Sequence, residues 1–351
     1  MLWTIFAGGS IGILLGFVLQ RTRFCMTGGF RDMYLTKNYK MFYAFLIAIA
    51  VQSVGVLALV EAGYLASPYK DFSVVAVILG SFIFGIGIIL ASGCATGTWY
   101  RAGEGLIGSW IALAMYMLFS SMMKYGALSG FQKSVEQYGR MNENLAGGLG
   151  ISVWWFVALL LIVVAYGVHR TLANRPKIAI TTLPPKFQGV RHWLFEKRYH
   201  PFAAAVVIGV IAMLAWVMSS STGRNGGLGI TTPSADIVNF LVTGNEKRLN
   251  WGVFLVIGLF IGSYIAAKGS NEFRWRLPDL KTVYHSVVGG IAMGIGASLA
   301  GGCTIGNGLT ATAVMSSKGW ISLGFTILGA WTMAYFVFVR PQKQAPSCSI
   351  A

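Results

Sequence analysis

Nine stretches of this sequence are each long and apolar enough to cross a lipid bilayer, near 4–20, 41–60, 73–92, 105–123, 152–169, 202–219, 252–268, 284–301 and 320–339. About 20 residues of helix cover a hydrocarbon core of roughly 30 Å. Lipid offers the backbone no hydrogen-bond partners, so such segments must satisfy themselves as helices. Charged residues make up 11% of the chain, where a soluble domain carries roughly 25%. The expectation is an all-α integral membrane protein with about nine transmembrane helices and no soluble domain of useful size. The first apolar run lacks an obvious small-residue cleavage site, so it reads as the first span and not as a removable signal.

The net charge of +16 raises the question of a nucleic-acid partner. Its distribution answers against one, because lysines and arginines beside spans set orientation. The connection HRTLANRPKIAITTLPPKFQGVRHWLFEKRYHP has Glu196 as its single acid, and Lys268 to Lys281 and the stretch after Arg340 are also basic. Glu61 to Asp71 is not. These assignments agree if the amino terminus lies outside, the carboxyl terminus inside, and loops 21–40, 169–201 and 269–283 in the cytoplasm. A bacterial-type inner membrane is the expected location.

Three of the four cysteines share a frame, with glycine nine residues before and three after: Gly16, Cys25, Gly28; Gly85, Cys94, Gly97; Gly294, Cys303, Gly306. The second and third copies also match at Ile86 and Ile295, Gly87 and Gly296, Ala91 and Ala300, and Gly93 and Gly302. Cys348 lies in the polar tail 342–351 with no motif around it. A lone cysteine in a membrane helix reads as a small buried hydrophobe; three in one frame do not. Glycines such as Gly80, Gly258 and Gly262 read equally well as close helix packing.

An odd number of spans gives this repeat an architecture. Halves of about 1–123 and 202–341 within one transporter domain, 1–341, joined by span 152–169 and the basic linker 170–200, would be inverted relative to one another, as in many secondary transporters. Cys25 and Cys94 then follow spans one and three at one membrane face, and Cys303 follows span eight at the other. A fourth segment, GRNGGLGITTP after span six, has the glycines without the thiol. All four segments are too short and glycine-rich to span, so they are expected to be re-entrant helices meeting near the midplane, since irregular backbone at that depth must be buried or line a cavity.

Oxyanions are ordinarily held by amides, hydroxyls and arginine, none of which requires sulfur. A thiol is a weak donor and soft acceptor, matched to a solute that itself exposes sulfur or selenium, and thiosulfate is such a solute. Thiolates would repel a dianion strongly in a poorly hydrated path, so neutral thiols are expected, with helix amino termini and Thr27, Thr96, Thr304 and Asn307 holding oxygens. Weak contacts suit passage, which requires release. Arg101 and Glu104 are candidates because ionisable groups in a membrane are costly and usually paired or functional; three apart, they also suit pairing with each other. Arg21 and Arg23 read equally as orientation charges, and Lys124 and Lys318 as interfacial ones. A metal centre is disfavoured, because CxxC pairs or a fourth ligand are missing and His169, His192, His200 and His285 lie in or beside connections. No nucleotide-binding loop or cofactor motif is present.

The stretches RTRFCMTGGFRDMYL, ASGCATGTWYRAGEGLIGSW and AGGCTIGNGLTATAVMSSKGW, with FEKRYHPF and NWGVFLVIG, resemble the YeeE/YedE family of bacterial membrane proteins over the chain to about Pro341. The resemblance implies thiosulfate uptake as a sulfur source for cysteine synthesis and a fold of two inverted halves with re-entrant helices. It also implies a central path lined by Cys25, Cys94 and Cys303, with Gly28, Gly97 and Gly306 beside them, and a partner resembling the small sulfur carrier TusA. Two alternatives stay open: a sulfurtransferase in which a cysteine takes the terminal sulfur as a persulfide, and transport of another sulfur or selenium species.

Overall fold

In the computed structural model each apolar run is a helix, and residues 2–66, 69–144, 147, 150–173, 188–197 and 199–341 are described. The chain order is α1 Leu2–Thr22, α2 Met26–Leu35, α3 Lys40–Glu61, α4 Val74–Leu90, α5 Ala95–Gly103, α6 Ile107–Tyr125, α7 Ser129–Glu136 and α8 Val153–Ala173. It continues with α9 Pro201–Ser220, α10 Thr231–Thr243, α11 Trp251–Gly269, α12 Leu280–Leu299, a π-helical turn Gly306–Ala311, and α13 Ser317–Ala334. Among the described residues nine helical segments are long and apolar enough to cross a membrane, matching the nine runs read from the sequence. The chain is a multi-pass membrane protein. The polar tail with Cys348, and 174–187 and 198 of the basic linker, lie outside the described residues.

Four of the long helices, α1, α4, α9 and α12, end in the same way, as α3 and α11 also do at Gly63 and Asn271. The N–H groups of Arg23, Ser92, Gly223 and Gly301 bond to carbonyls three residues back, and those of the next residues, Phe24, Gly93, Arg224 and Gly302, to carbonyls five back. This is the Schellman pattern, which needs a left-handed residue just past the helix. Arg23, Ser92, Gly223 and Gly301 supply it, with φ of 52°, 54°, 80° and 69°. The helix ending of α4 at Leu90, and not at the expected 92, follows from Ser92 turning left. Each of these four turns leads into a short helical segment, α2, α5, α10 or the stretch beginning at Gly306, and each of those is followed by another left-handed residue: Lys37, Gly105, Gly244 or Met315.

Small residues set how the long helices meet. A Cβ at Gly8, Gly12 or Gly16 of α1 would strike the carbonyl of Trp251, Leu255 or Leu259, and one at Gly258 or Gly262 of α11 would strike Gly9 or Ile13. Between helices in lipid there is no hydrophobic drive, and close backbone approach through such residues supplies the van der Waals contact instead. Comparable seams join α4 to α12 at Gly80 and Gly296 and α4 to α13 at Gly85 and Gly329. α3 packs on α9, α6 on α12, α2 on α13 and α6 on α10. The packing reading of Gly80, Gly258 and Gly262 is therefore the correct one for those positions.

One region was not legible in the sequence. The connection after α6 folds as α7 and β2 Arg140–Asn142, which pairs antiparallel with β1 Asp71–Ser73 from ahead of α4 to make a two-stranded sheet. Ser73 both ends β1 and caps α4, its hydroxyl accepting the Ala76 N–H at 3.2 Å. Three-residue strands carry too short an alternation to be read as periodicity.

Candidate functional site

Each cysteine stands two residues after a left-handed turn. Cys25 and Cys94 are the residues that immediately precede α2 and α5. The Gly97 N–H donates to Cys94 Sγ at 3.4 Å, so that thiol sits over the positive end of α5. Cys94 and Cys303 are 5% and 2% exposed, Cys25 is half-buried, and all three are free. Cys94 is close enough to both Cys25 and Cys303 for each to act on it electrostatically, and Tyr116 is placed likewise toward Cys94 and Cys303. The three thiols named from the sequence thus lie in one neighbourhood.

Two clefts approach them without sharing a lining residue. One, of about 240 Å³, is lined by Arg23, Cys25, Thr27, Gly28, Arg31 and Arg101. The other, of about 210 Å³, includes Cys303, Gly306, Asn307, Arg224, Lys70 and Lys318. Cys94 lines neither of these two. A Cβ at Gly97 or Gly28 would lie 3.5 or 4.0 Å from the neighbouring sulfur. Glycine there leaves uncovered a face of the thiol that any other side chain would touch. A Cβ at Gly306 would meet nothing within 4 Å.

The three threonines beside the cysteines have one property in common. Thr27, Thr96 and Thr304 are 4%, 3% and 4% exposed, and none of their hydroxyls has a hydrogen-bond partner. An unsatisfied buried group of this kind costs about 1–3 kcal/mol. Some other buried hydroxyls are satisfied: Thr98 of α5 donates to the Ala95 carbonyl at 2.7 Å and Ser81 of α4 to Ser322 Oγ at 2.7 Å. Unpaired hydroxyls at all three thiols are what a path that hydrogen-bonds a transient guest would leave.

The charged candidates are arranged differently from the sequence expectation. Arg101 and Glu104 form no ion pair with each other. Arg101 Nη2 lies 3.5 Å from Cys25 Sγ, and its Nη1 is held by the Ser92 carbonyl. Both ends of the guanidinium are thus committed, and Glu104, at the end of α5, meets Arg23 instead, at 3.3 Å. Arg23 also meets Glu272 at 2.9 Å, and Gln20 donates to Glu272 at 2.9 Å. Gln20 and Glu272 were not singled out in the sequence; the loop position of Glu272 gave no periodic signal. Glu272 stays acidic despite the desolvation that opposes its charge, because Arg23, Gln20 and Arg21 favour the carboxylate.

Asn307 is likewise occupied. Its amide N–H groups reach the Ala300 carbonyl at 2.8 Å, the Gly302 carbonyl at 3.3 Å and Ser322 Oγ at 3.2 Å, so it ties the Cys303 turn in place and has no donor left for an anion. Lys318, read as an interfacial charge, instead lines the Cys303 cleft and pairs with Glu143 at 3.5 Å. Lys124 donates to Thr232 Oγ1 at 2.6 Å. In the fourth turn Asn225 takes the register of the cysteines. Arg224, just before it, lies over the Trp251 ring and donates to the Gly227 carbonyl at 3.3 Å. Here the threonine is satisfied, Thr231 Oγ1 accepting from Tyr116 at 2.9 Å. His192 pairs with Glu196, and His200 accepts the Phe202 N–H, both away from the thiols. Among the described residues no three His, Cys, Asp or Glu side chains converge as metal ligands.

A family model described as sulphur transport matches residues 21–332, which contain every element named above except most of α1 and the end of α13. The chain is 55% identical over 341 residues to the thiosulfate transporter TsuA of Escherichia coli, covering 97% of each. It is 32% identical over 357 residues to the thiosulfate transporter TsuA of Spirochaeta thermophila, covering 97% of this chain and 100% of that one. A probable transporter of Escherichia coli, YedE, is 33% identical over 114 residues, 32% of this chain and 28% of its own length. With its three framed cysteines, nine apolar helices and full-length likeness to these proteins, the chain belongs to the sulphur transport family, the YeeE/YedE type that its motifs resemble.

Proposed function

We propose that this protein imports thiosulfate across the bacterial inner membrane as a sulfur source for cysteine synthesis, moving the anion past Cys303, Cys94 and Cys25. The observation that carries the reading is the set of three neighbouring thiols, each beside a buried and unpartnered threonine hydroxyl, between two clefts. A thiol meets the terminal sulfur and a hydroxyl meets an oxygen, so thiol and threonine together match the two ends of thiosulfate. Lys70, Arg224 and Lys318 at the Cys303 cleft draw a dianion toward it. Arg23, Arg31 and Arg101 receive it at the other. The relatives named thiosulfate transporters support the substrate. We place the amino terminus and the Cys303 cleft outside, and the carboxyl terminus and Cys25 cleft in the cytoplasm, where a TusA-like carrier would take the sulfur.

The architecture proposed with it is a single domain over 1–341 of two inverted halves, with α2, α5, α10 and the stretch from Gly306 as re-entrant segments. The packing is consistent with this. α1 lies on α11 as α9 lies on α3, α4 on α13 as α12 on α6, and α2 on α13 as α10 on α6. Each of these pairings exchanges for the next if the halves 1–123 and 202–341 are interchanged. Trp99 of α5 donates to Ser234 of α10 at 3.1 Å, a meeting of two short helices from different halves.

A second reading has one observation in its favour. The Arg101 guanidinium 3.5 Å from Cys25 Sγ sets a cation beside a nucleophilic sulfur, as a sulfurtransferase does. Attack on the terminal sulfur would break the S–S bond, leave Cys25 as a persulfide and release sulfite. Purified protein in liposomes, offered thiosulfate labelled on one sulfur or the other, separates the two. Transport carries both labels inside together; transfer parts them.

A further inference from the structure

α3 carries a polar group that the proposed path does not use. Gln52 is fully buried in the middle of an otherwise apolar helix, and neither its carboxamide oxygen nor its nitrogen has a partner; the neighbouring Ser53 hydroxyl is also unpaired. A membrane interior has no water with which to satisfy such groups, so an orphaned amide at this depth is expensive. Several polar side chains buried between helices here are satisfied within their own helix, which the Gln52 carboxamide is not. Ser263 of α11, on the face that meets α5, donates to the Phe260 carbonyl of its own helix at 2.8 Å.

The face on which Gln52 lies gives it a role. Phe45, Ile49, Gln52 and Val56 recur at helical spacing along one stripe of α3. At one end of the stripe the Phe45 ring tip lies 3.4 Å from where a Cβ on Gly308 would be, with the Thr304 methyl 3.6 Å from the same point. At the other end Val56 packs with Trp216 and Val314, which are walls of the Cys303 cleft. Gln52 therefore faces the π-helical turn that follows Cys303, behind the cleft. Irregular helical turns of this type concentrate at functional sites.

We propose that the Gln52 carboxamide is a translocation-path donor: its N–H groups take the oxygens of the thiosulfate as the anion leaves the Cys303 turn for Cys94. A neutral donor suits this step, since it replaces lost hydration without the tight hold that a second cation would impose. This assignment rests on the transport reading. It adds a residue outside the cysteine frames that discriminates by oxygen and not by sulfur.

The test is initial thiosulfate uptake by the full chain in proteoliposomes, with melting temperature measured alongside. Gln52→Leu is expected to lower maximal uptake at least 10-fold with the Michaelis constant changed less than threefold, and to leave the melting temperature equal or higher because an unpaired amide is gone. Gln52→Glu is expected to block uptake at neutral pH, where its carboxylate repels the dianion, and to recover as acid neutralises it, a pH profile absent from the native protein. Uptake by Gln52→Leu at the native rate overturns the assignment, as does a lowered melting temperature with both kinetic constants unchanged. If Gln52→Leu does not fold, Gln52→Met and Gln52→Glu are judged by the same criteria. A native protein that moves no thiosulfate defeats the transport reading itself, a different result from native uptake that persists without Gln52.

Discussion

Of the four turns that lead from a long helix into α2, α5, α10 and the stretch from Gly306, three present a thiol and the fourth presents Asn225. The backbone is the same in all of them up to the residue after the left-handed position. Beyond it, Cys25, Cys94 and Cys303 stand beside hydroxyls without partners, while the fourth turn offers Arg224, Asn225 and a Thr231 whose hydroxyl is already bonded to Tyr116. The thiol turns keep their polar groups uncommitted at a cost in stability. The fourth commits its threonine to the scaffold and contributes charge at the cleft. On the proposed path the Cys303 cleft thus takes its thiol from one turn and part of its charge, Arg224, from another of the same backbone design.

The comparison breaks most sharply at the thiols. Cys94→Ala or Cys303→Ala is expected to lower thiosulfate uptake at least 100-fold in proteoliposomes while the protein stays folded by melting temperature. Serine at the same positions should restore little, because it supplies a hydroxyl in place of a soft sulfur; native uptake by both serine variants would refute the role of sulfur. Asn225→Cys, a thiol added to the fourth turn, is expected to rescue neither. At Arg224, replacement by Gln should weaken apparent affinity about 10-fold, an effect that shrinks with added salt as screening replaces the lost steering.

Threonine sharpens the contrast at a smaller scale. Val in place of Thr27, Thr96 or Thr304 is expected to slow uptake roughly threefold to 10-fold and leave melting unchanged or higher. The same change at Thr231 should lower stability by about 1 kcal/mol through the lost Tyr116 bond. Smaller still is the backbone term. Gly301→Ala should cost about 1–2 kcal/mol for its left-handed conformation, and Ser92→Gly should recover part of that amount at the equivalent turn. The least effect belongs to Glu272, whose depressed pKa contributes stability that is present above its unfolded value and lost as pH falls through the folded one. Its partial exposure limits this to about 0.5 kcal/mol, visible only below the ordinary carboxylate range in acid melting curves.

The nine spans were legible because membrane helices announce themselves by length and hydropathy, and the thiols because glycine spacing repeats around them. The left-handed turns were half legible: Gly301 and Gly223 are residues that signal them, whereas Arg23 and Ser92 adopt the conformation without doing so. The spacing of Arg101 and Glu104 suggests a mutual pair, where the fold gives each a different partner. Lys318 and Arg224 were passed over because a cation near a span is ordinary in sequence; only the fold brings them to one cleft with Cys303. Gln52 was invisible for the opposite reason, as one amide in an apolar helix whose cost depends on what surrounds it.

On the proposed path the two clefts are water-filled vestibules on opposite sides, and Cys94, which lines neither, stands in the layer between them, thinner than the bilayer. A membrane voltage falls mainly across the part of a protein that water does not enter, so the field concentrates around Cys94. Moving a dianion through the full voltage involves about 4.6 kcal/mol per 100 mV, twice the single-charge figure. With the interior negative, the proposed import opposes that force over only a few side chains. Uptake should therefore depend steeply on voltage, and a variant that lets water reach Cys94 would redistribute that dependence along the path.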